Sequence, residues 1–159
     1  MALKQNDLLQ FSSDISIVWG DAYIPDGKMF PELLSRRHLN CLPVQWEDKP
    51  YVAIMGYTFR AEYAKFSKYG ENENSGYHDQ SMFRFKTSDL EYALQNLHCC
   101  FWKHDKYITA SGELSLLFVL HFLANKNKPM MCYETEYGVY GFNTPQELHE
   151  LKEKYDGNK

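Results

Sequence analysis

Residues 81–124 read SMFRFKTSDLEYALQNLHCCFWKHDKYITASGELSLLFVLHFLA. The periodicities inside this stretch set the fold class. Ser81–Lys86 alternates apolar and polar side chains, the period of a half-buried strand. Leu90, Ala93, Leu94 and Leu97 then recur at helical spacing, which predicts a helix from Asp89 to about Cys100. Ser88-Asp89-Leu90-Glu91 has the form of a capping box. Its serine oxygen serves an orphan N–H, and its glutamate reaches back from three residues on. Residues 112–124 follow Ser111, a good cap, and are apolar on nearly every face. Such a helix belongs in the middle of a core.

Upstream, Asp14–Trp19 (DISIVW) alternates, is β-branched and reads as a strand. Residues 20–28 are turn-rich. Pro31–Arg37 reads as a short helix with proline at its first position. Leu42–Trp46 and Tyr51–Gly56 read as a strand pair joined by a polar turn. Phe59, Tyr63 and Phe66 recur at helical spacing, so a helix is expected over Thr58–Tyr69, although aromatics also suit a strand. Residues 70–80 read as a polar, flexible loop.

Downstream, Met130–Thr135 and Gly138–Phe142 read as a hairpin turning at Glu136-Tyr137-Gly138. Thr144-Pro145-Gln146-Glu147 is a second capping box. Leu148, Leu151 and Tyr155 give the terminal helix one apolar edge. The strand pairs lie too close in sequence for helical crossovers. The expectation is α+β: a mainly antiparallel sheet of about five or six strands packed with helices, one of them a buried central helix near residues 112–124. The length of 159 residues fits a single domain over residues 1–159.

Composition narrows the function classes. The net charge is −4, with 21 acids against 17 bases. No basic stripe is visible, which argues against direct nucleic-acid binding. No signal peptide is evident, and Leu114–Ala124 is far shorter than the ~20 apolar residues that span a bilayer. A cytoplasmic location with no membrane association is expected. Cys41, Cys99, Cys100 and Cys132 read as reduced thiols.

Catalytic motifs are sparse. Neither phosphate-binding glycine motif occurs, nor does a G-x-S-x-G nucleophile elbow. His98, Cys99, Cys100 and His104 cluster in sequence, but zinc motifs usually present two close ligand pairs and the second is missing. No metal and no cofactor is expected. His121 lies on the apolar helix and reads as a core histidine. His78, His98, His104 and Glu113 form the set from which a metal-independent hydrolase of nucleic acid or nucleotide would draw.

The chain holds 12 Tyr, 10 Phe and 3 Trp. Most fall at strand or helix periodicity and read as core. A smaller group sits beside carboxylates in turns: Trp19 with Asp21 and Tyr23, Trp46 with Glu47 and Asp48, and Tyr133 and Tyr137 around Glu134 and Glu136. Carboxylate plus ring is the chemistry that engages a basic protein surface, although it also decorates plain sheet edges. The sequence therefore leads to an expectation of a small acidic binding protein, an immunity-type toxin inhibitor or a phage-type anti-defence inhibitor, rather than an enzyme. Its partner would be another protein with a basic functional surface, met by a monomer or homodimer. Asp21, Tyr23, Asp26, Trp46, Glu47, Asp48, Glu134 and Glu136 are the expected contact residues, with no catalytic residue among them.

Overall fold

A central strand, β3 (Cys41–Glu47), organises the computed structural model, which describes residues 12–25, 27–48, 53–55, 65–67, 76–128 and 130–156. β3 is buried from Cys41 to Val44, as expected for a strand covered on both faces. On one side it pairs antiparallel with β6 (Gly76–Asp79) and, at Cys41, with β7 (Met82–Lys86). On the other it pairs parallel with β10 (Met131–Glu134), Cys41 facing Met131. β1 (Asp14–Val18) lies antiparallel to the far edge of β7. β4 (Ala53–Met55) pairs with β6 and with β5 (Lys65–Ser67). β1, β3 and β10 therefore run in one direction, and β6 and β7 run against them.

Alternation along the strands separates two cores. Leu42, Val44, Phe83, Phe85 and Cys132 face α2 (Thr87–Phe101) and α3 (Leu116–Asn125), packing on Leu90, Ala93, Leu97, Val119, Leu120 and Leu123. Cys41, Met82 and Tyr133 face the opposite way, onto Met29 and Leu33 of α1 (Met29–Ser35). The Arg36 guanidinium lies 3.7 Å over the Tyr133 ring, closing this second core. A two-stranded ribbon, β2 (Ala22–Tyr23) with β11 (Tyr140–Gly141), stands beside the main sheet. A second ribbon joins β8 (Trp102–Lys103) to β9 (Lys106–Tyr107). The terminal helix α4 (Pro145–Asp156) has no buried residue. No helix among the described residues is long and apolar enough to cross a membrane.

The α+β assignment stands, but the sheet is mixed and has seven strands among the described residues. Residues 130–142 make no hairpin. β10 pairs with β3 and β11 with β2, because a buried slot beside β3 takes more apolar surface than a local turn. Likewise β4 is not paired with β3; β6 lies between them. Part of the expected loop at 70–80 is β6. Its Tyr77 and His78 find partners opposite Trp46 and Gln45. Of the helix expected over Thr58–Tyr69, residues 65–67 form β5 and the others lie outside the described residues. The apolar helix starts at Leu116, where Ser115 and not Ser111 caps it, accepting from the Leu117 N–H. It is buried on one side only, with Phe118 exposed, so it flanks the core rather than crossing its centre.

The capping box at Ser88 does not form. α2 begins at Thr87 without a side-chain cap. Asp89 is drawn inward instead, onto the buried Asn40 amide (2.8 Å) and the Lys128 ammonium. The second box does form: the Glu147 N–H donates to Thr144 Oγ1 (3.2 Å), and Glu147 Oε2 accepts from the Thr144 N–H (3.3 Å).

Burial opposes ionisation of Asp89, but the hydrogen bonds from Lys128 and Asn40 outweigh it and hold the carboxyl below its ordinary value. A depressed carboxyl stabilises the fold above the unfolded pKa and loses that contribution as pH falls through the folded one. Asp89→Asn is expected to cost about 1–2 kcal/mol at neutral pH, a charge-assisted hydrogen bond discounted for the partly exposed Lys128. Denaturant melts should show the gap to wild type closing below about pH 4. A gap that stays constant into acid would show that the carboxylate charge contributes nothing.

Candidate functional site

Because β1, β3 and β10 share a direction, the segments that follow them leave the sheet at one edge. These are Trp19-Gly20-Asp21, Glu47-Asp48 and Glu134-Thr135-Glu136. In open α/β sheets ligands bind outside the carboxyl ends of such strands. The acidic turns picked out in the sequence thus leave the sheet at one edge.

Asp21 is exposed in the turn before β2, and its carbonyl accepts from the Phe142 N–H at 2.9 Å. Tyr23 is half-buried in β2 opposite Tyr140. Asp26 lies outside the described residues. Asp48 is exposed. Trp46 is 60% exposed and meets the Tyr77 ring edge-on at 4.9 Å, and Tyr77 Oη donates to the Glu134 carboxylate. Trp46, Tyr77 and Glu134 share the sheet face that carries α2 and α3.

Glu47 belongs to the other face. Its Oε1 lies 3.3 Å from His78 Nδ1. The same ring nitrogen lies 3.1 Å from Gln80 Nε2, and Gln80 Oε1 accepts from the Val139 N–H at 3.1 Å. Gln80 is 1% exposed, at the break between β6 and β7. Sequence reasoning missed it, because a lone Gln in a polar stretch carries no signal of burial.

On this face a cleft of about 150 Å³ opens between the segment after β2 and the loop after β10. Ile24, Pro25, Lys28, Glu136, Tyr140 and Tyr155 line it. The loop is held from below. Gln45 Nε2 donates to the Thr135 carbonyl (3.2 Å), Thr135 Oγ1 donates to Glu32 (3.3 Å), and the Tyr137 N–H donates to Thr135 Oγ1 (3.2 Å). A Cβ at Gly138 would lie 2.7 Å from Tyr140 Oη, so a larger residue there must displace that ring. The Tyr140 ring stacks on Tyr155 of α4 at 4.3 Å. Lys28 Nζ lies 5.9 Å from the Tyr137 ring centre. A cation, a carboxylate and stacking faces in one small concavity suit a polar ligand that carries a phosphate and a ring.

The histidines do not assemble a catalytic set. His98 Nδ1 lies 3.1 Å from Tyr107 Oη, and its ring stacks on Trp102, far along the chain from the Glu47–His78 contact. His104 occupies the β8–β9 turn with φ 51. Glu113 engages Thr109 and Ser111 through its backbone. His121 is half-buried on α3. Among the described residues no three His, Cys, Asp or Glu side chains gather to hold a metal ion. Cys99 and Cys100 are exposed. Burial pushes the Cys41 thiol up to about 11 and Cys132 up to about 12, which removes both as nucleophiles at neutral pH.

No family model matches the sequence, and no curated protein matches it. Solved structures do share the fold. A protein described as a glucose-1-phosphate thymidylyltransferase from Bacillus anthracis, in complex with a sucrose, superposes with a TM-score of 0.63 at 13% identity. The alignment covers 97% of this chain and 59% of that one. HddC from Yersinia pseudotuberculosis gives a TM-score of 0.58 at 16% identity, over 95% of this chain and 60% of that one. HddC complexed with GMP-PN gives 0.54 at 14% identity, with the same coverage. The chain thus spans about three-fifths of the length of these neighbours. The expectation of a toxin inhibitor or immunity protein is corrected by this likeness, because nearly the whole chain folds as part of such proteins. The missing glycine motifs exclude only the phosphate sites built on those motifs.

The stacked tyrosines offer a check on the cleft wall. Hydrogen bonds from Tyr140 and Lys154 lower the Tyr155 pKa, and the hydrogen bond to Tyr155, with burial, pushes Tyr140 up to about 12. In a phenolate absorbance titration Tyr155 should ionise below the usual range near pH 10. Tyr155→Phe should delete that early step. If the early step survives the substitution, the two hydroxyls are not in contact.

Proposed function

We propose that this chain binds a nucleotide or a sugar phosphate at the carboxyl edge of its sheet, as part of an enzyme of nucleotidyl-transfer type. The shared fold, aligned over 97% of the chain with a protein described as a thymidylyltransferase, carries this reading. The chemistry of the cleft agrees with it. Lys28 supplies a cation for a phosphate. Tyr140 and Tyr155 offer ring faces to a sugar or base. Glu136 offers a carboxylate that accepts hydrogen bonds from hydroxyl groups. The neighbours extend well beyond the aligned part, so binding is assigned here rather than a full catalytic cycle.

Calorimetry with dTTP, GTP and glucose 1-phosphate tests the proposal. At least one should bind, and Lys28→Ala should weaken it about tenfold, the value of one charge-assisted hydrogen bond. Lys28 is exposed, so the variant should keep the wild-type melting temperature. No heat from any of these ligands, or binding indifferent to Lys28, would overturn the assignment to this cleft.

A further inference from the structure

Gln80 is a buried side-chain amide with both ends engaged. Val139 N–H can only donate, so the Gln80 atom facing it at 3.1 Å is the carbonyl oxygen. The NH2 group therefore points at His78 Nδ1, 3.1 Å away. A donor there requires Nδ1 to be unprotonated, with the ring neutral and its proton on Nε2. Glu47 Oε1 stands 3.3 Å from the same Nδ1. A carboxylate facing a lone pair gains nothing, but it gains a charge-assisted hydrogen bond once Nδ1 carries a proton. The two neighbours of one nitrogen thus want opposite protonation states.

We propose that His78 and Gln80 position the cleft wall according to proton concentration: neutral His78 anchors Gln80, and protonated His78 turns to Glu47 and releases it. Val139 lies between Gly138 and Tyr140, both of which line the cleft. When Gln80 loses its His78 partner, its amide is free to rotate, and the Val139 N–H loses a fixed acceptor. The wall then loosens. The charged groups near the ring among the described residues are Glu47 on β3 and Asp79 on its own strand. Asp79 is raised by burial, accepts from the Ser81 N–H at 2.9 Å and also feels the His78 charge, but Glu47 is the group that stands beside Nδ1 itself, at 3.3 Å. Neutral His78 corresponds to the tight cleft, and binding weakens on acidification, once Nδ1 carries a proton. The effect on binding rests on the reading of the cleft as a nucleotide or sugar-phosphate site; the coupling itself does not.

The Val139 amide reports the device without any ligand. In ¹H–¹⁵N spectra of the free protein it should shift in a single transition on acidification. His78→Asn keeps an acceptor near the Nδ1 position and should abolish the shift while leaving the amide protected from exchange. Glu47→Gln removes the carboxylate that receives the protonated ring and should shrink the shift. Gln80→Leu should remove both the shift and the protection. For dTTP or glucose 1-phosphate, affinity should fall about fivefold across the same transition in wild type, the value of one neutral hydrogen bond, and stay flat in His78→Asn. A Val139 amide that does not titrate, or that still titrates in His78→Asn, overturns the coupling. A titrating amide in a protein that binds neither probe supports the coupling and overturns the binding reading.

Discussion

The buried Asn40 side chain ties the sheet to its helices. Its Nδ2 donates to Asp89 in the first turn of α2, and its Oδ1 accepts from the Lys86 N–H at the end of β7. Its carbonyl takes the Met131 N–H where β10 begins, at 2.7 Å. Lys128, on the segment entering β10, closes the loop by reaching Asp89. One amide thereby joins the starts of two parallel strands, the end of the antiparallel strand between β1 and β3, and the helix that covers them. The cleft near the opposite edge depends on this knot, because β10 must be held in register before its following loop can form a wall.

The two edges of the sheet divide the work. At the amino ends of the parallel strands several buried charged groups find one another, although Arg84 Nε and Thr87 Oγ1 stay without a partner among the described residues. Asp14 accepts from the His38 N–H at 3.0 Å and pairs with Arg84 at 3.5 Å, while Arg84 also reaches Ser16. At the carboxyl ends much of the polar surface faces water: Asp21, Asp48, Glu134 and Glu136 are exposed. Stability requires satisfied buried groups, and binding requires unsatisfied accessible ones. The parallel pairing of β3 and β10 lets a single sheet meet both demands at opposite edges.

This division explains what was legible in the sequence. Elements fixed by their own periodicity, such as β1, β7, α2 and α4, could be read locally. So could the cap at Thr144, whose partners lie three residues apart. The box at Ser88 has the same local form, but Asp89 found better partners at Asn40 and Lys128, which no local rule anticipates. The pairing of residues 130–142 failed for a related reason. Thr135 meets Gln45 across 90 positions of sequence, and a nearby turn looked cheaper. The acidic and aromatic turns were visible as a set, but their convergence was not, because it follows from the direction of strands rather than from composition. The fold itself left little trace in the residues, since its structural neighbours share 13–16% identity.

The cleft draws its walls from partly buried segments outside the main sheet. α4 buries nothing, yet it supplies Tyr155; the β2–β11 ribbon is two residues long on each side, yet it supplies Tyr140. Elements with few apolar contacts open at low cost, which is the property a ligand wall needs. Left alone, such a wall would have no defined shape. Gln45, Gln80 and Thr135 give it one by reaching up from the rigid sheet to the loop between β10 and β11. The polar side chains at the end of β3 and at the β6–β7 break therefore shape the cleft although they do not line it.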